Sequence, residues 1–259
     1  MIRHFLECLR NREFWIYAAW LETAVRYRTA RLGLLWLVIN PAMFGFGLGF
    51  VYSEMMERPA SSFIPHLVIG YSMWRLMIHV LTESSLTFKA AKPFIMEGNI
   101  NLVRYILRVI SKAVFNFSFS LIVVVAALAI FHGSDAVWVF TILFTFPAVL
   151  INMVWLGTLI GILGARLPET NDVINTLLLF GFLLTPIMWD AQMIPADSTL
   201  GLVVRMNPAF HIIEFVRSPM TGVWPGDFTL LYMAAFTLIG LSLANWVYRR
   251  YQPYVPLWI

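Results

Sequence analysis

The chain has 259 residues, of which 60% are hydrophobic and only 12% charged, with a mean hydropathy of +0.77. A soluble domain of this size needs a polar skin that 18 basic and 14 acidic residues cannot supply. That excludes an ordinary soluble protein and makes lipid the solvent for much of the surface. The single cysteine, Cys8, excludes an intrachain disulfide and a cysteine metal cluster, and reads as a small buried or interfacial filler.

Taken in chain order, the first segment, Ile2 to Arg31, mixes Phe5, Trp15, Ile16, Trp20 and Leu21 with charges. Arg3, Glu7, Arg10 and Arg12 interrupt any signal-peptide core. The segment is too short in apolar residues to cross a bilayer and reads as an interfacial amphipathic helix along the inner leaflet. Six apolar stretches then approach the ~20 residues that a membrane helix needs. They are Gly33 to Ser53, Phe63 to Thr82 with Arg75 inside it, Ala113 to Phe131, Ala136 to Ala165, Val173 to Trp189, and Phe228 to Tyr248. The fourth exceeds one perpendicular span and is expected to tilt or to stop near Gly161 or Gly164. The expectation is one all-α, six-span membrane domain covering residues 1–259, with a short tail after residue 248.

An even number of spans places both termini on one side. That side holds 14 of the 18 basic residues, in the N-terminal segment, the 83–112 loop, Arg166 and the tail pair Arg249 and Arg250. The other side holds Arg58, Arg205 and Arg217, while Glu and Asp divide evenly. Because Lys and Arg set orientation, both termini are expected in the cytoplasm. The basic balance thus needs no nucleic-acid partner.

Two loops stand out. In the cytoplasmic one, Pro93 and Gly98 frame a short helix, roughly Lys92 to Asn101, which is either solvated and idle or offered to a partner's groove. The outer one, Asp190 to Asp227, is apolar yet cut by Pro195, Pro208, Pro219 and Pro225. Asn207 and Pro208 predict a helix start there. Re-entrant outer helices between spans five and six, or a loop lying on the membrane surface, both fit.

No G-x-x-x-x-G-K-[ST] stretch, H-E-x-x-H or G-x-S-x-G occurs, so the chain has no P-loop, zincin or hydrolase signature. The five histidines, His4, His66, His79, His132 and His211, are scattered, and no metal site is expected. Within the expected spans the one ionisable pair is Arg75 and His79, four residues apart and so on one helix face. Arg75 either snorkels to the inner headgroups or meets a wet path where it holds a phosphate or carboxylate. Trp74, Trp155 and Trp189 are either core and interface-belt residues or flat platforms along such a path.

The run Arg26-Tyr27-Arg28-Thr29-Ala30-Arg31-Leu32-Gly33-Leu34-Leu35-Trp36, followed by Asn40-Pro41, resembles the approach to the first span in ABC-2-type permeases that export polysaccharides and teichoic acids. Gly70-Tyr71-Ser72-Met73-Trp74, Thr185-Pro186-Ile187-Met188-Trp189, and Asn207-Pro208 with His211 and Glu214 are similar, in order and spacing, to further elements of that family. Where many O-antigen and teichoic-acid members carry an Arg-Asp pair, this chain has Arg166-Leu167-Pro168-Glu169, which is more similar to the capsule-exporting branch.

The resemblance implies a non-enzymatic half-transporter in a bacterial inner membrane, two copies forming a channel for a lipid-linked polysaccharide. Two separate ATPase subunits would bind ATP and Mg and dock below, so this chain itself is expected to carry no cofactor. Docking would fall on the N-terminal helix, with Arg26 and Arg28, and on Lys92, Pro93, Glu97, Gly98, Asn99 and Asn101. By the same resemblance Pro195, Asn207, Pro208, His211 and Glu214 belong to an outer gate, and Trp74, Arg75, His79, Trp155 and Trp189 to the substrate path. Partners in the periplasm or outer membrane are left open. The rival readings are a permease for O-antigen, teichoic acid, a drug or a small lipid, and a membrane-embedded glycolipid transferase, which the sparse acids disfavour.

Overall fold

The computed structural model describes residues 1, 4–5, 7–8, 13–28, 31–98, 101–132 and 138–259. Among these there is no strand, so every element is helical. Helix α1 is Glu13–Arg28. Residues 2–3, 6, 9–12 and 29–30 of the N-terminal segment, Arg10 and Arg12 among them, the start of the fourth apolar stretch at Ala136, and Asn99 lie outside the described residues.

Helix α2 runs over Gly33–Met55. It opens in a 3₁₀ turn at Gly33–Leu35 and widens to a π turn at Met43–Leu48, just after Pro41. Proline has no N–H to give to the preceding turn, and the wider turn absorbs that lost bond. After a turn at Glu57, α3 spans Ala60–Ala90 without interruption. At 1.5 Å per residue its 31 residues reach about 46 Å, well beyond a hydrocarbon core.

The short α4, Lys92–Met96, follows α3 after one residue and stops before Gly98, whose φ of +94° only glycine adopts freely. Helix α5 is Val103–His132 and α6 is Ile142–Arg166, the latter led in by a 3₁₀ turn from Trp138. Helix α7, Thr170–Leu184, ends where Thr185 turns extended ahead of Pro186. Then come α8, Thr199–Arg205, α9, Pro208–Met220, α10, Asp227–Tyr251, and α11, Val255–Trp258.

Among the described residues four helical stretches are long and apolar enough to cross a membrane: Gly33–Met55, Val103–Phe131, Trp138–Arg166 and Asp227–Trp258. The expected second span lies wholly inside α3, which is long but carries Arg75, Glu83 and Lys89, and the expected fifth is the 15-residue α7.

Three expectations need correction. The segment 83–112 is not a loop, because α3 continues to Ala90 and α5 already begins at Val103. Within it Glu83 on α3 and Lys112 on α5 face and pair with each other. The helix expected over Lys92 to Asn101 is only Lys92–Met96, since Gly98 turns the backbone away. Lastly, α6 does not stop at Gly161 or Gly164 but runs through both to Arg166. Those glycines, with Gly157, form its contact with α3. A Cβ at Gly157, Gly161 or Gly164 would meet Ser84, Phe88 or the Ser85 carbonyl. Small residues at this spacing let two backbones approach closely, as membrane helices require.

The core gathers around α3. Ile64, Leu67, Val80, Ile106, Leu128 and Met153 are almost fully buried. By contrast Phe144, Phe180, Leu183, Leu231 and Leu238 are exposed, an outward apolar belt that suits lipid rather than water.

Candidate functional site

Polar side chains collect along the α3–α5 groove, in a cavity beside α9 and on the short helix α4. The first cavity lies between α3 and α5. Tyr71, Arg75, His79 and Glu83 succeed one another at four-residue steps on α3, and Arg108, Lys112, Asn116 and Ser120 do so on α5. Each set occupies one helix face. Ser72, Arg75, His79, Asn116 and Ser120 line a cavity of about 330 Å³. It shares Thr82 and Glu83 with a second hollow of about 380 Å³, which Glu22, Arg108, Lys112 and Asn171 complete.

The shared boundary is an ion-pair network. Lys112 Nζ donates to both Glu83 oxygens at 2.9 and 2.8 Å and lies 3.7 Å from Glu22. Arg108 meets Glu22 at 3.2 Å and Arg26 meets Glu83 at 3.6 Å. Lys112 is almost fully buried, which only such pairing sustains. Arg75 differs. Its one charge-seeking contact is the Tyr71 ring, 5.9 Å from its guanidinium carbon, and its Nη1 is buried without a hydrogen-bond partner. It stands in the middle of α3, fifteen residues before Ala90, so it turns into the groove instead of reaching the helix end.

The second cavity, about 470 Å³, lies where α9 meets the start of α3 and the turn after α7. Arg217 is its hub. It donates to Glu214 at 2.6 and 3.1 Å and to the Pro186 carbonyl at 2.9 Å. Its Nη1 lies 2.9 Å from His66 Nε2, which must accept because a guanidinium has only donors. Ser218 donates to the other Glu214 oxygen. Across the cavity Arg58 and Asp190 pair at 2.9 Å. Burial alone would raise the Asp190 pKa, but the Gln192 N–H and the Arg58 guanidinium hold it below the ordinary carboxylate value.

Asn207 caps α9 by accepting from the Ala209 N–H at 3.0 Å, and its amide donates to Thr185 at the end of α7 at 2.8 Å. His211 is buried, stacked on Tyr232 with centroids 4.0 Å apart, and held at its two ring nitrogens by the Arg205 carbonyl and Thr229. Pro195 is exposed, and its carbonyl accepts from Ser198. The expected helix start at Asn207-Pro208 is therefore where the structure has it.

The five residues proposed for a path do not share one surface. Arg75 and His79 meet in the α3–α5 groove. Trp74 is buried on another face of α3, with Phe182 of α7 at 6.0 Å. Trp155 is buried between α6 and α10, its indole N–H on Asn152 and its ring over Gly240 and against Phe236. Trp189 borders the outer cavity, where its carbonyl faces His66. On and just after helix α4, Ile95 is the buried anchor, while Lys92, Pro93, Phe94, Met96, Glu97 and Gly98 are exposed. Asn101 is half-buried at the foot of α5, Arg28 is exposed, and Arg26 turns toward Glu83.

Sequence reasoning missed Glu83, Lys112 and Asn116, as well as His66, Arg58, Asp190 and Arg217. The four-residue ladder from Tyr71 to Glu83 was one usable signal, and the i, i+3 spacing of Glu214 and Arg217 another.

Long apolar helices with outward apolar side chains, closing around a few paired charges, define a polytopic α-helical membrane protein. The chain matches the ABC-2 type transporter family over residues 13–221, from α1 to the end of α9, and belongs to that family. It is 23% identical over 239 residues to the O-antigen export system permease protein RfbA of Klebsiella pneumoniae, covering 89% of this chain and 90% of the relative. To the polysialic acid transport protein KpsM of Escherichia coli it is 24% identical over 235 residues, covering 88% and 89%.

Proposed function

We propose that this chain is the membrane-spanning half-subunit of an ATP-driven exporter that moves a lipid-linked polysaccharide outward across a bacterial inner membrane. The observation that carries this reading is the likeness, over nearly the full length of both partners, to permeases named for O-antigen export and polysialic acid transport. In this reading α2, α3, α5, α6, α7 and α10 cross the bilayer, α8 and α9 dip back into its outer side, and both termini are cytoplasmic. Two copies form the conduit. Support for a second copy comes from α7, an apolar helix in which only Thr170 is buried.

Energy comes from two separate subunits that bind ATP and Mg, because the chain has no P-loop. Their docking point is α4, where Phe94 and Met96 are exposed on a helix pinned by Ile95. Such a rigid, partly apolar knob suits a groove on a soluble partner. The Arg166-Leu167-Pro168-Glu169 turn favours a capsular polymer over O-antigen or teichoic acid.

The test is reconstitution of the chain with its cognate ATPase subunit in liposomes, followed by measurement of ATP hydrolysis with and without lipid-linked polysaccharide. Stimulation by an anionic capsular glycolipid, and loss of ATPase copurification when Phe94 and Met96 are both changed to Asp, is the expected result. Stimulation only by a small lipid or drug would refute polymer export, and failure to retain any ATPase would refute the half-subunit reading.

A further inference from the structure

The α3–α5 groove holds positive charge that no carboxylate among the described residues neutralises. Four cations, Arg26, Arg75, Arg108 and Lys112, stand on or beside it, against two carboxylates, Glu22 and Glu83. Both carboxylates are already engaged, Glu83 by Lys112 and Arg26, Glu22 by Arg108 and Lys112. Arg75 is left with no ion pair among the described residues.

The polar atoms around it are equally unspent. Ser72 Oγ, Arg75 Nη1, His79 Nε2 and Asn116 Oδ1 are all buried without hydrogen-bond partners, and all four residues line the same cavity of about 330 Å³. A buried polar atom without a partner costs free energy, so four around one cavity mark a place where a ligand completes the set. The Arg75 guanidinium, the Ser72 and Ser120 hydroxyls and the His79 ring can donate to an oxyanion, while the orphaned Asn116 Oδ1, an acceptor, can take the remaining P–OH of a singly protonated phosphate. The excess of two positive charges matches a phosphate monoester, which carries about −1.5 to −2 at neutral pH.

The remaining lining is apolar. Leu76, Ile78, Ala113 and Phe117 flank the upper cavity, and Leu86 and Val109 the lower one. A free ion needs no such walls, whereas a phosphate on a hydrocarbon chain does.

We infer that this groove binds the phosphate headgroup of a lipid, with Arg75 as its main anchor and Ser72, His79, Asn116 and Ser120 completing the shell. The identity of that lipid as the anchor of the exported polymer rests on the function proposed above; the binding site itself does not.

The test uses the purified full-length chain in neutral maltoside micelles, with no ATPase and no polymer. Binding of dioctanoyl phosphatidic acid is measured by native mass spectrometry and by the shift in melting temperature. Dioctanoylglycerol, which has the same tails without phosphate, and inorganic phosphate are the comparison probes. Phosphatidic acid should bind and stabilise the wild type, and dioctanoylglycerol should not. Arg75→Gln should weaken binding about 10- to 100-fold, the factor that losing a charge-assisted hydrogen bond implies. Arg75→Lys should stay within about fivefold, since a point charge still holds phosphate. Asn116→Leu provides a second, uncharged probe of the shell and should weaken binding at least threefold, roughly the worth of one neutral hydrogen bond.

Equal binding of dioctanoylglycerol would overturn the inference, and so would inorganic phosphate binding as tightly as the lipid, which would make the site one for a free anion. Undiminished binding by Arg75→Gln and Asn116→Leu would overturn it as well. Since the assay contains no transport step, its failure leaves the export reading standing, and failure of the reconstituted exporter leaves this site standing.

Discussion

The contact between α3 and α6 is tight enough that one methyl group should open it. At Gly164 an added Cβ would lie 2.0 Å from the Ser85 carbonyl oxygen, 2.8 Å from its carbon and 3.0 Å from the Ser85 Cα. Ordinary contact begins at 3.4 Å, so the helices must part by up to about 1.4 Å along that direction. The obstacle is backbone, which cannot rotate aside as a side chain does. Parting would also loosen the seam at Gly157 and Gly161, where an added Cβ already comes within 2.8 Å of Ser84 Oγ and 2.9 Å of Phe88. Overpacking of this kind costs about 1–3 kcal/mol. The better helix propensity of alanine returns about 0.5–1 kcal/mol. Because the clash is with backbone, the upper part of the overpacking range applies, about 2–3 kcal/mol. Gly164→Ala should therefore be destabilised by about 1–2.5 kcal/mol net, a fall of roughly 2–10 °C in melting midpoint for a chain of this size. The paired control is Gly47→Ala in α2, where nothing lies within 4 Å of the new methyl, and which should melt at or slightly above the wild-type temperature. The assay is thermal unfolding in neutral detergent, followed by circular dichroism. A Gly164→Ala midpoint at or above that of the wild type would show that the α3–α6 seam is not closed as described.

Lys112→Ala removes both hydrogen bonds to Glu83 and leaves that carboxylate facing only Arg26 at 3.6 Å. Breaking one side of a buried pair costs about 3–5 kcal/mol, and the partial exposure of Glu83 places this case at or below the lower end. The double variant Glu83→Gln with Lys112→Met should melt several degrees above Lys112→Ala, and a double variant no better than the single would refute the pairing argument. Arg217→Gln leaves Glu214, His66 and the Pro186 carbonyl without their shared donor and should expose the 185–226 segment to protease. Arg217→Lys should protect that segment only partly, because one ammonium cannot reach all three. The Asp190 carboxyl has a pKa below its ordinary value of 3.8, so its stabilisation is present above that value and is lost as pH falls through the lower, folded one. The difference in melting midpoint between wild type and Asp190→Asn should accordingly be constant from about pH 5 to about pH 8 and close only in strong acid. A difference that shrinks near neutral pH would place the Arg58–Asp190 pair outside the fold's stabilising contacts.

The outward-facing helices could be read from the sequence because lipid demands unbroken apolar runs, and α2, α5, α6 and α10 supply them. Local chemistry was equally legible at Asn207-Pro208, where cap and first-turn proline are adjacent in the chain. What escaped was pairing at a distance. Glu83 and Lys112 are 29 residues apart, and each alone looks like the edge of a solvated loop. Only the packing of α3 on α5 reveals that they neutralise each other inside two continuous helices. The same blindness hid Arg217, whose partners come from the end of α7 and the start of α3. Trp155 shows the opposite error, since a large aromatic in an apolar run looks free to line a path until Asn152 and Gly240 are seen to hold it. Glycine weakens an isolated helix, which is why a stop near Gly161 or Gly164 stands beside tilting as an expectation for that stretch, whereas in a membrane bundle its missing side chain is what lets a neighbour approach.

Helix α1 fixes where the groove opens relative to the bilayer. Its small residues Ala19 and Thr23 are buried, while Ile16, Tyr17, Trp20, Leu21 and Val25 are exposed on other faces. Aromatic and aliphatic side chains turned outward need acyl chains or headgroups beside them, and the adjacent Glu22 and Arg26 need water or partners. Both conditions hold only at the membrane surface. Glu22 is bound there to Arg108 and Lys112, and Arg26 to Glu83. In the topology proposed above these five charges lie at headgroup depth, and with them the mouth of the groove. Arg75 precedes Glu83 by eight residues on α3, about 12 Å away along the helix at 1.5 Å per residue. An anion that reaches Arg75 from that mouth must pass the Glu83–Lys112 pair at the boundary of the two cavities. Loosening that pair should thus change the rate at which phosphatidic acid enters the groove more than its affinity once bound.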